Sequence, residues 1–253
     1  MPAPAKLYVI GGSHACRTAI LALELKGISF ETVTLPTGMH PFLVRMRGFP
    51  GNRASRSVNG RTPGGLALMN RMGTVPALSY EERRIQSNQE IIAFLEVLQP
   101  QPPLYPSDTE RRAAVEEAYD WGDQTLQMAA RRTIMSAAGT SLDGLHERGA
   151  RGRLGALLAK GDTARLVLNG FAARTAFDAP TSSAERLHAD LEPLLDRIDD
   201  WIADGTLNGE RLNAADLMIA PSLALLDYRL DLREELRRRP SFALLERLLP
   251  EPA

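Results

Sequence analysis

The sequence predicts an α/β domain followed by an all-α domain, and three observations carry that expectation. Residues 6–35 read strand, glycine turn, helix, strand. Residues 99–107, QPQPPLYPS, hold four prolines, the composition of an extended linker. Beyond that linker the apolar residues recur with helical periods and no strand candidate of any quality follows. The expected division is therefore 1–98, a linker at 99–107, and a helical domain over 108–253.

Residues 7–10 are a short apolar run closed by Gly11 and Gly12, which is the pattern of a buried strand. Ser13 suits the N-cap of the next helix, because its hydroxyl can accept a backbone N–H from the first turn. That helix runs to about Lys26 and stops at Gly27, a glycine just past the last turn. Cys16, Ile20 and Leu23 fall on one of its faces. Residues 28–35 alternate with β-branched side chains and read as a second strand. A strand–helix–strand unit this short demands a right-handed crossover and a parallel pair.

Residues 37–49 suit a short helix, whereas 50–73, rich in Gly, Asn, Ser and Arg, suit no regular element. Across residues 32–80 there is no acidic side chain, while Arg45, Arg47, Arg53, Arg56, Arg61 and Arg71 are all present. Two readings follow: a solvated insertion, or a cationic lid that attracts an anionic ligand. Residues 74–78, TVPAL, form a strand interrupted by proline, and Val75-Pro76 suits a cis bond in a tight turn. Residues 79–84 make a charged hairpin turn. Ser87, with Glu90 three residues on, forms a capping box for an amphipathic helix carrying Ile91, Ile92, Phe94 and Leu95.

After the linker, Ser107 with Glu110 is expected to cap a long helix through Val115, Tyr119 and Leu126 toward Met135. Glycines break the pattern between 139 and 161, and residues 151–170 and 182–204 read as helical. Residues 212–217, LNAADL, place Asn213 as N-cap, Asp216 as the reciprocal carboxylate, and Leu212 with Leu217 as the hydrophobic staple. The helix that follows is nearly all apolar in its first half, so it belongs at the centre of the helical domain, with Pro221 a candidate kink.

The bulk composition excludes several classes. With 44% hydrophobic and 24% charged residues over 253 positions, the chain has the makeup of a soluble globular protein. A net charge of −1 gives no drive toward nucleic acid or acidic membranes, and the arginine-bearing loop lacks interleaved aromatics. A single cysteine excludes an intrachain disulfide framework and fits a reducing compartment. The apolar run near the N-terminus is too short for a signal peptide or a spanning helix, so a cytoplasmic protein is expected. The histidines and the cysteine are scattered too widely for a metal site, and no metal is expected.

Ser13-His14-Ala15-Cys16 after the first strand, residues 74–78 with their Val-Pro, Gln86-Ser87 opening a helix, the proline-rich linker and the capped Asn213–Asp216 segment follow one another over nearly the whole chain. Together they resemble the cytosolic glutathione S-transferase superfamily. The resemblance implies a thioredoxin-like N-terminal domain, a helical-bundle C-terminal domain, a homodimer, and glutathione as co-substrate with a small electrophile. The family usually has Glu where Gln86 stands and Ser or Thr where Asn213 stands, and its segment before the Val-Pro is shorter than 50–73.

Such a transferase needs a thiolate at neutral pH, although free thiols ionise near ~8.5. A hydroxyl donor and the positive end of a helix both favour the anion, and Ser13 sits where both act. Ser13 is thus a candidate catalytic residue as well as a helix cap. Cys16 is the competing candidate, as the nucleophile of a glutathione-dependent thiol–disulfide exchanger through a mixed disulfide, or else as a small core hydrophobe. His14 is either a contact for the thiol or second substrate or a solvent-facing side chain. By the resemblance, Val75 would pair its backbone with the cysteinyl part of glutathione and Pro76 would set the turn. Gln86 and Ser87 would hold the γ-glutamyl carboxylate at a helix N-terminus. Arg45 or Arg47 would suit the glycyl carboxylate. Tyr119, Asp120, Asp123 and Gln127 are spaced to share a face toward a second substrate, or to form a solvated face beside Trp121 and Met128. A non-catalytic ligand-binding protein on the same fold is the remaining alternative.

Overall fold

The structure is a computed structural model and describes residues 5–36, 38–51, 73–137, 152–155 and 184–252. Strand β1 (Ala5–Val9), helix α1 (His14–Leu25) and strand β2 (Phe30–Thr34) form the predicted parallel unit, with Leu7 paired to Thr32. Gly27 closes α1 at φ +64°, the left-handed conformation a glycine adopts without strain. Helix α2 (His40–Met46) follows. Strands β3 (Ala77–Tyr80) and β4 (Arg83–Gln86) make an antiparallel hairpin that adds to the other side of β1. The sheet order is β2-β1-β3-β4, the mixed sheet expected of a thioredoxin-like domain. Strand β3 begins one residue after Pro76 rather than at Thr74. Proline has no N–H for the ladder, so pairing starts where the donors resume.

Helix α3 (Asn88–Leu98) packs on α1. Helix α4 (Thr109–Trp121), a π-helical turn (Gly122–Leu126) and α5 (Gln127–Ala137) form one long continuous rod. Its cap is Asp108, whose carboxylate accepts the Arg111 N–H at 2.9 Å, and not the expected Ser107. Both residues are good caps, and the chain enters the helix one position later. Helices α6 (Ala184–Ala203), α7 (Ala214–Leu226), α8 (Leu230–Arg238) and α9 (Ser241–Leu248) complete the helical domain among the described residues. The expected helix at 151–170 lies outside the described residues, except that 152–155 are turn rather than helix.

Helix α7 is the axis of the whole molecule. Every one of its residues is buried, and it packs against α1 of the first domain as well as α4, α5 and α9. The capping box is as expected: the Asn213 side chain accepts the N–H groups of Ala215 and Asp216, and Asp216 accepts the Asn213 N–H at 2.9 Å. The same carboxylate also takes the Asn208 N–H at 2.7 Å, so a fully buried Asp is satisfied from both sides. One continuous apolar core runs from β1 through α7 to Leu249.

Two polar anchors tie distant segments to this core. Lys26 has a fully buried ammonium that pairs with Glu96 and donates to the carbonyls of Gln99 at 2.8 Å and Pro102 at 2.7 Å. Residues 152–155 are held by Arg153, whose buried guanidinium meets Asp227, Glu246 and the carbonyl of Leu249. Tyr228 reinforces the same anchor, accepting the Leu154 N–H at 3.1 Å and donating to the Gly155 carbonyl at 2.7 Å. No helix among the described residues is long and apolar enough to cross a membrane.

Candidate active site

Sheet topology gathers the site. The antiparallel register sets Tyr8 opposite Ala77 and Ala77 opposite Gln86. The end of β1, the residues just before β3 and the end of β4 therefore lie side by side at one end of the sheet. Helices α1 and α3 both start from that end, so two helix N-termini flank the Val75-Pro76 turn. This convergence suits an extended, anionic ligand, because free first-turn N–H groups and both dipoles favour negative charge.

Ser13 is half-buried at the tip of α1. Its Oγ accepts the Cys16 N–H at 3.2 Å, and its carbonyl accepts the Arg17 N–H at 3.0 Å. Capping uses only the lone pairs of the hydroxyl and leaves its proton to donate outward. The first turn of α1 carries no acidic residue, so nothing on the helix itself offsets its positive end. Cys16 is 2% exposed and belongs to the core. It is the third residue inside the cap, which turns its side chain toward the sheet and away from the tip. A thiol there lacks the access that exchange with a disulfide requires. His14 is 3% exposed, which removes the solvent-facing alternative.

The Val75-Pro76 peptide is cis, as the sequence suggested, and it is pinned to the start of α3. Gln86 Nε2 donates to the Thr74 carbonyl at 2.7 Å, and the Ser87 N–H donates to the Pro76 carbonyl at 3.3 Å. Ser87 Oγ caps α3 by accepting the Glu90 N–H at 3.3 Å. The Glu90 carboxylate returns to the N–H of Gln86, one residue earlier than in the expected capping box, because the Ser87 N–H is already committed to Pro76. Ser87 stands at φ +80°, ψ 153°, a conformation that costs a non-glycine residue roughly 1–3 kcal/mol and is concentrated at ligand clamps. Val75 itself lies before β3, so its backbone faces the turn and not the sheet ladder.

Several features of the site carried no signal in the sequence. Gln86 Oε1 and both ends of the Asn88 side chain are buried with no hydrogen-bond partner among the described residues. A Cβ on Gly73 would lie 2.5 Å from Val44 Cγ2 and 3.0 Å from the Pro41 carbonyl, so only glycine lets α2 close on this corner. Arg45 and Arg47 donate to carbonyls of their own neighbourhood, Pro50 at 2.6 Å and Leu43 at 2.8 Å, and Arg47 also lies over the Tyr8 ring. The rest of the arginine-bearing stretch, including Arg53, Arg56, Arg61 and Arg71, lies outside the described residues.

The expected face of Tyr119, Asp120, Asp123 and Gln127 forms only in part. Tyr119 and Gln127 are buried, Asp120 is exposed, and Gln127 donates to Asp123 and to the Met218 sulfur. Asp123 and Gln127 keep their i, i+4 contact across the π-helical turn, whereas Asp120 turns out to solvent. Gly122 in that turn lies against Met218 of α7, where a Cβ would come within 2.8 Å of the side chain. Trp121 stacks edge-on against Trp201 with Arg197 over both rings.

His40 opens α2 and is half-buried, facing Arg131 of α5. Burial, with a smaller push from Arg131, lowers its pKa from 6.5 to about 4. The imidazole is therefore neutral at pH 7. Since the folded value is depressed, the contribution of His40 to stability is complete above pH 6.5 and is lost as pH falls toward 4. Chemical denaturation of the native chain should lose up to about 3 kcal/mol between those limits, and His40→Gln should flatten that part of the profile. An unchanged slope in the variant would show that other groups carry it. Among the described residues no group of three His, Cys, Asp or Glu side chains is arranged to hold a metal.

Residues 7–103 match the family model described as glutathione S-transferase, N-terminal domain. No curated protein matches the chain. Solved structures resemble it over almost its full length. A glutathione transferase from Phanerochaete chrysosporium is 18% identical, with a TM-score of 0.65 over 98% of this chain and 97% of that one. A glutathione S-transferase from Rhodospirillum rubrum is 20% identical, with a TM-score of 0.55 over 98% and 93%. A maleylacetoacetate isomerase from Anaeromyxobacter dehalogenans, with glutathione bound in its active site, is 17% identical, with a TM-score of 0.54 over 98% and 91%.

Proposed function

We infer, from a chain that carries the glutathione S-transferase N-terminal domain on the glutathione S-transferase fold, that the protein binds glutathione and adds its thiolate to a small electrophile. The observation that carries this reading is the convergence of two helix N-termini on the turn at Val75-Pro76, with an unfilled acceptor beside it. Gln86 Oε1 is a buried oxygen with no donor among the described residues, and an ammonium supplies one. The γ-glutamyl end of glutathione presents both an ammonium and a carboxylate. The carboxylate would sit at the start of α3 with Ser87, and the ammonium would reach Gln86. The backbone of Val75 would hold the cysteinyl unit as a strand holds a peptide. That pose delivers the sulfur toward the tip of α1, where the Ser13 hydroxyl and the helix dipole favour the thiolate. His14 lies beside Ser13 and would shape the thiol pocket from its buried side. A homodimer and a cytoplasmic location belong to the same reading and rest on the resemblance alone.

Glutathione at millimolar concentration should raise the unfolding temperature, since a ligand at ~100 times its Kd adds about 2.7 kcal/mol. S-methylglutathione should do the same, because the γ-glutamyl and cysteinyl contacts do not need the free thiol. No shift with either compound would remove glutathione from the proposal. A shift without turnover of any activated aryl halide or enone would favour a binding protein over an enzyme.

A further inference from the structure

Arg17 has no place in the chemistry described so far. It lies one helical turn beyond Ser13, at i+4, and so shares its face of α1. Its guanidinium reaches across the domain boundary toward residues 152–155. Among the described residues its one side-chain hydrogen bond goes to the Arg153 carbonyl at 3.5 Å, the outer limit of such a bond. Among the described residues its Nε–H is buried without an acceptor and no carboxylate pairs with it. Arg17 also acts electrostatically on Tyr228, which places it against the surface of the helical domain. An arginine held this way has a donor set made for a planar, bidentate anion and holds only a long carbonyl contact.

The surrounding sequence points the same way. Residues 1–23, 32–80 and 124–142 contain no aspartate or glutamate. Their described parts supply β1, α1 up to Leu23, α2 and α5. On the far side, α5 brings Arg131 up to His40. Asp231, on α8, is engaged by Arg229, which also donates to the Thr133 carbonyl of α5. On the helical side the carboxylates near Arg17, Asp227 and Glu246, are already paired to Arg153, and a guanidinium whose nearby acids are engaged elsewhere attracts a negatively charged group and repels a cation.

We propose that Arg17 is a specificity-determining residue that binds a carboxylate on the second substrate, so that the preferred electrophile is an unsaturated acid. This rests on the glutathione-conjugating reading above. In the reaction, the thiolate forms a C–S bond to the β-carbon of the acceptor. The alkene π pair moves to the α-carbon as an enolate, and a proton from solvent completes the adduct. No oxidant or reductant takes part. Arg17 holds the distal carboxylate and thereby sets the distance between the β-carbon and the sulfur.

The test compares an aryl keto-enoic acid with its methyl ester, both as substrates with glutathione and, in saturated unreactive form, as ligands by calorimetry with S-methylglutathione bound. The native chain should favour the acid over the ester on the order of tenfold in kcat/KM, corrected for the uncatalysed rates, and in Kd. Arg17→Gln should bring that ratio close to one through the acid's KM, and Arg17→Lys should keep part of it. Equal treatment of acid and ester by the native chain would overturn the proposal, as would an equal loss of both in Arg17→Gln. If neither compound is turned over but the saturated acid binds Arg17-dependently, conjugation fails while the anion site stands.

Discussion

Ser13→Ala is expected to lower kcat/KM for glutathione conjugation by about 10²-fold, the size of effect seen when one preorganised donor to a developing anion is removed. The hydroxyl has two functions at once. Its lone pair accepts the Cys16 N–H, and its proton is free to donate to sulfur. Alanine removes both, and the loss of the cap alone costs about 1 kcal/mol of stability. The two effects separate experimentally. The apparent pKa of bound glutathione, read from the thiolate absorbance, should rise in Ser13→Ala and stay near the native value in Ser13→Thr. Cys16→Ala should leave the thiolate titration in place, since the sulfur lies in the core. Loss of transfer in Cys16→Ala with retention in Ser13→Ala would reverse the assignment and point to exchange chemistry.

Arg153→Met should be the most destabilising single substitution outside the apolar core, lowering the unfolding free energy by about 3–5 kcal/mol. Its guanidinium is 1% exposed, and the Asp227 side chain facing it is 7% exposed. Methionine fills much of the volume but leaves the Leu249 carbonyl without this donor and leaves Asp227, among the described residues, with Arg233 alone, whose Nε lies 3.1 Å away. A marginally stable domain has about 5–15 kcal/mol in total, so the variant would unfold at much lower urea. Glu246→Gln is the control. Glu246 also meets Arg153, but its side chain is 42% exposed, and such partly hydrated pairs contribute about 0–1 kcal/mol. Equal losses for the two variants would mean that the buried Asp227 pair is not the dominant interaction.

The parts of this protein that were legible in its sequence are the local ones. Ser13, Ser87 and Asn213 were readable as caps because a cap depends on three or four consecutive residues. The inward placement of Cys16 followed from its stripe with Leu23. The cis bond at Val75-Pro76 was readable from a proline where a strand had to begin. Errors arose where a local rule had two solutions. Ser107 and Asp108 are both good caps, and a row such as Tyr119, Asp123 and Gln127 looks the same in sequence whether it faces a cleft or the core, so the burial of its two ends was not legible. Features built from distant residues left no trace. Arg17 meets the Arg153 carbonyl across 136 positions, and Arg153 meets Asp227 across 74. Neither charge pattern nor period encodes such pairs, because each partner alone looks like an ordinary surface arginine or aspartate.

Lys26 has a further consequence, for how independently the two domains can exist. Its ammonium is fully buried, and among the described residues its three acceptors are Glu96 and the carbonyls of Gln99 and Pro102. Two of those three belong to the segment that reads as a linker. Glu96 in turn accepts the Leu104 N–H at 3.0 Å, and the Leu104 carbonyl accepts the N–H of Ala214 at the head of α7. The prolines therefore do not form a tether on which one half swings. They are a seam, stitched from the end of α1 through to the central helix. A chain cut after Leu98 would keep Glu96 and lose the other two acceptors, and would open the buried end of Lys26 to solvent. The boundary visible in composition is not a boundary in autonomy.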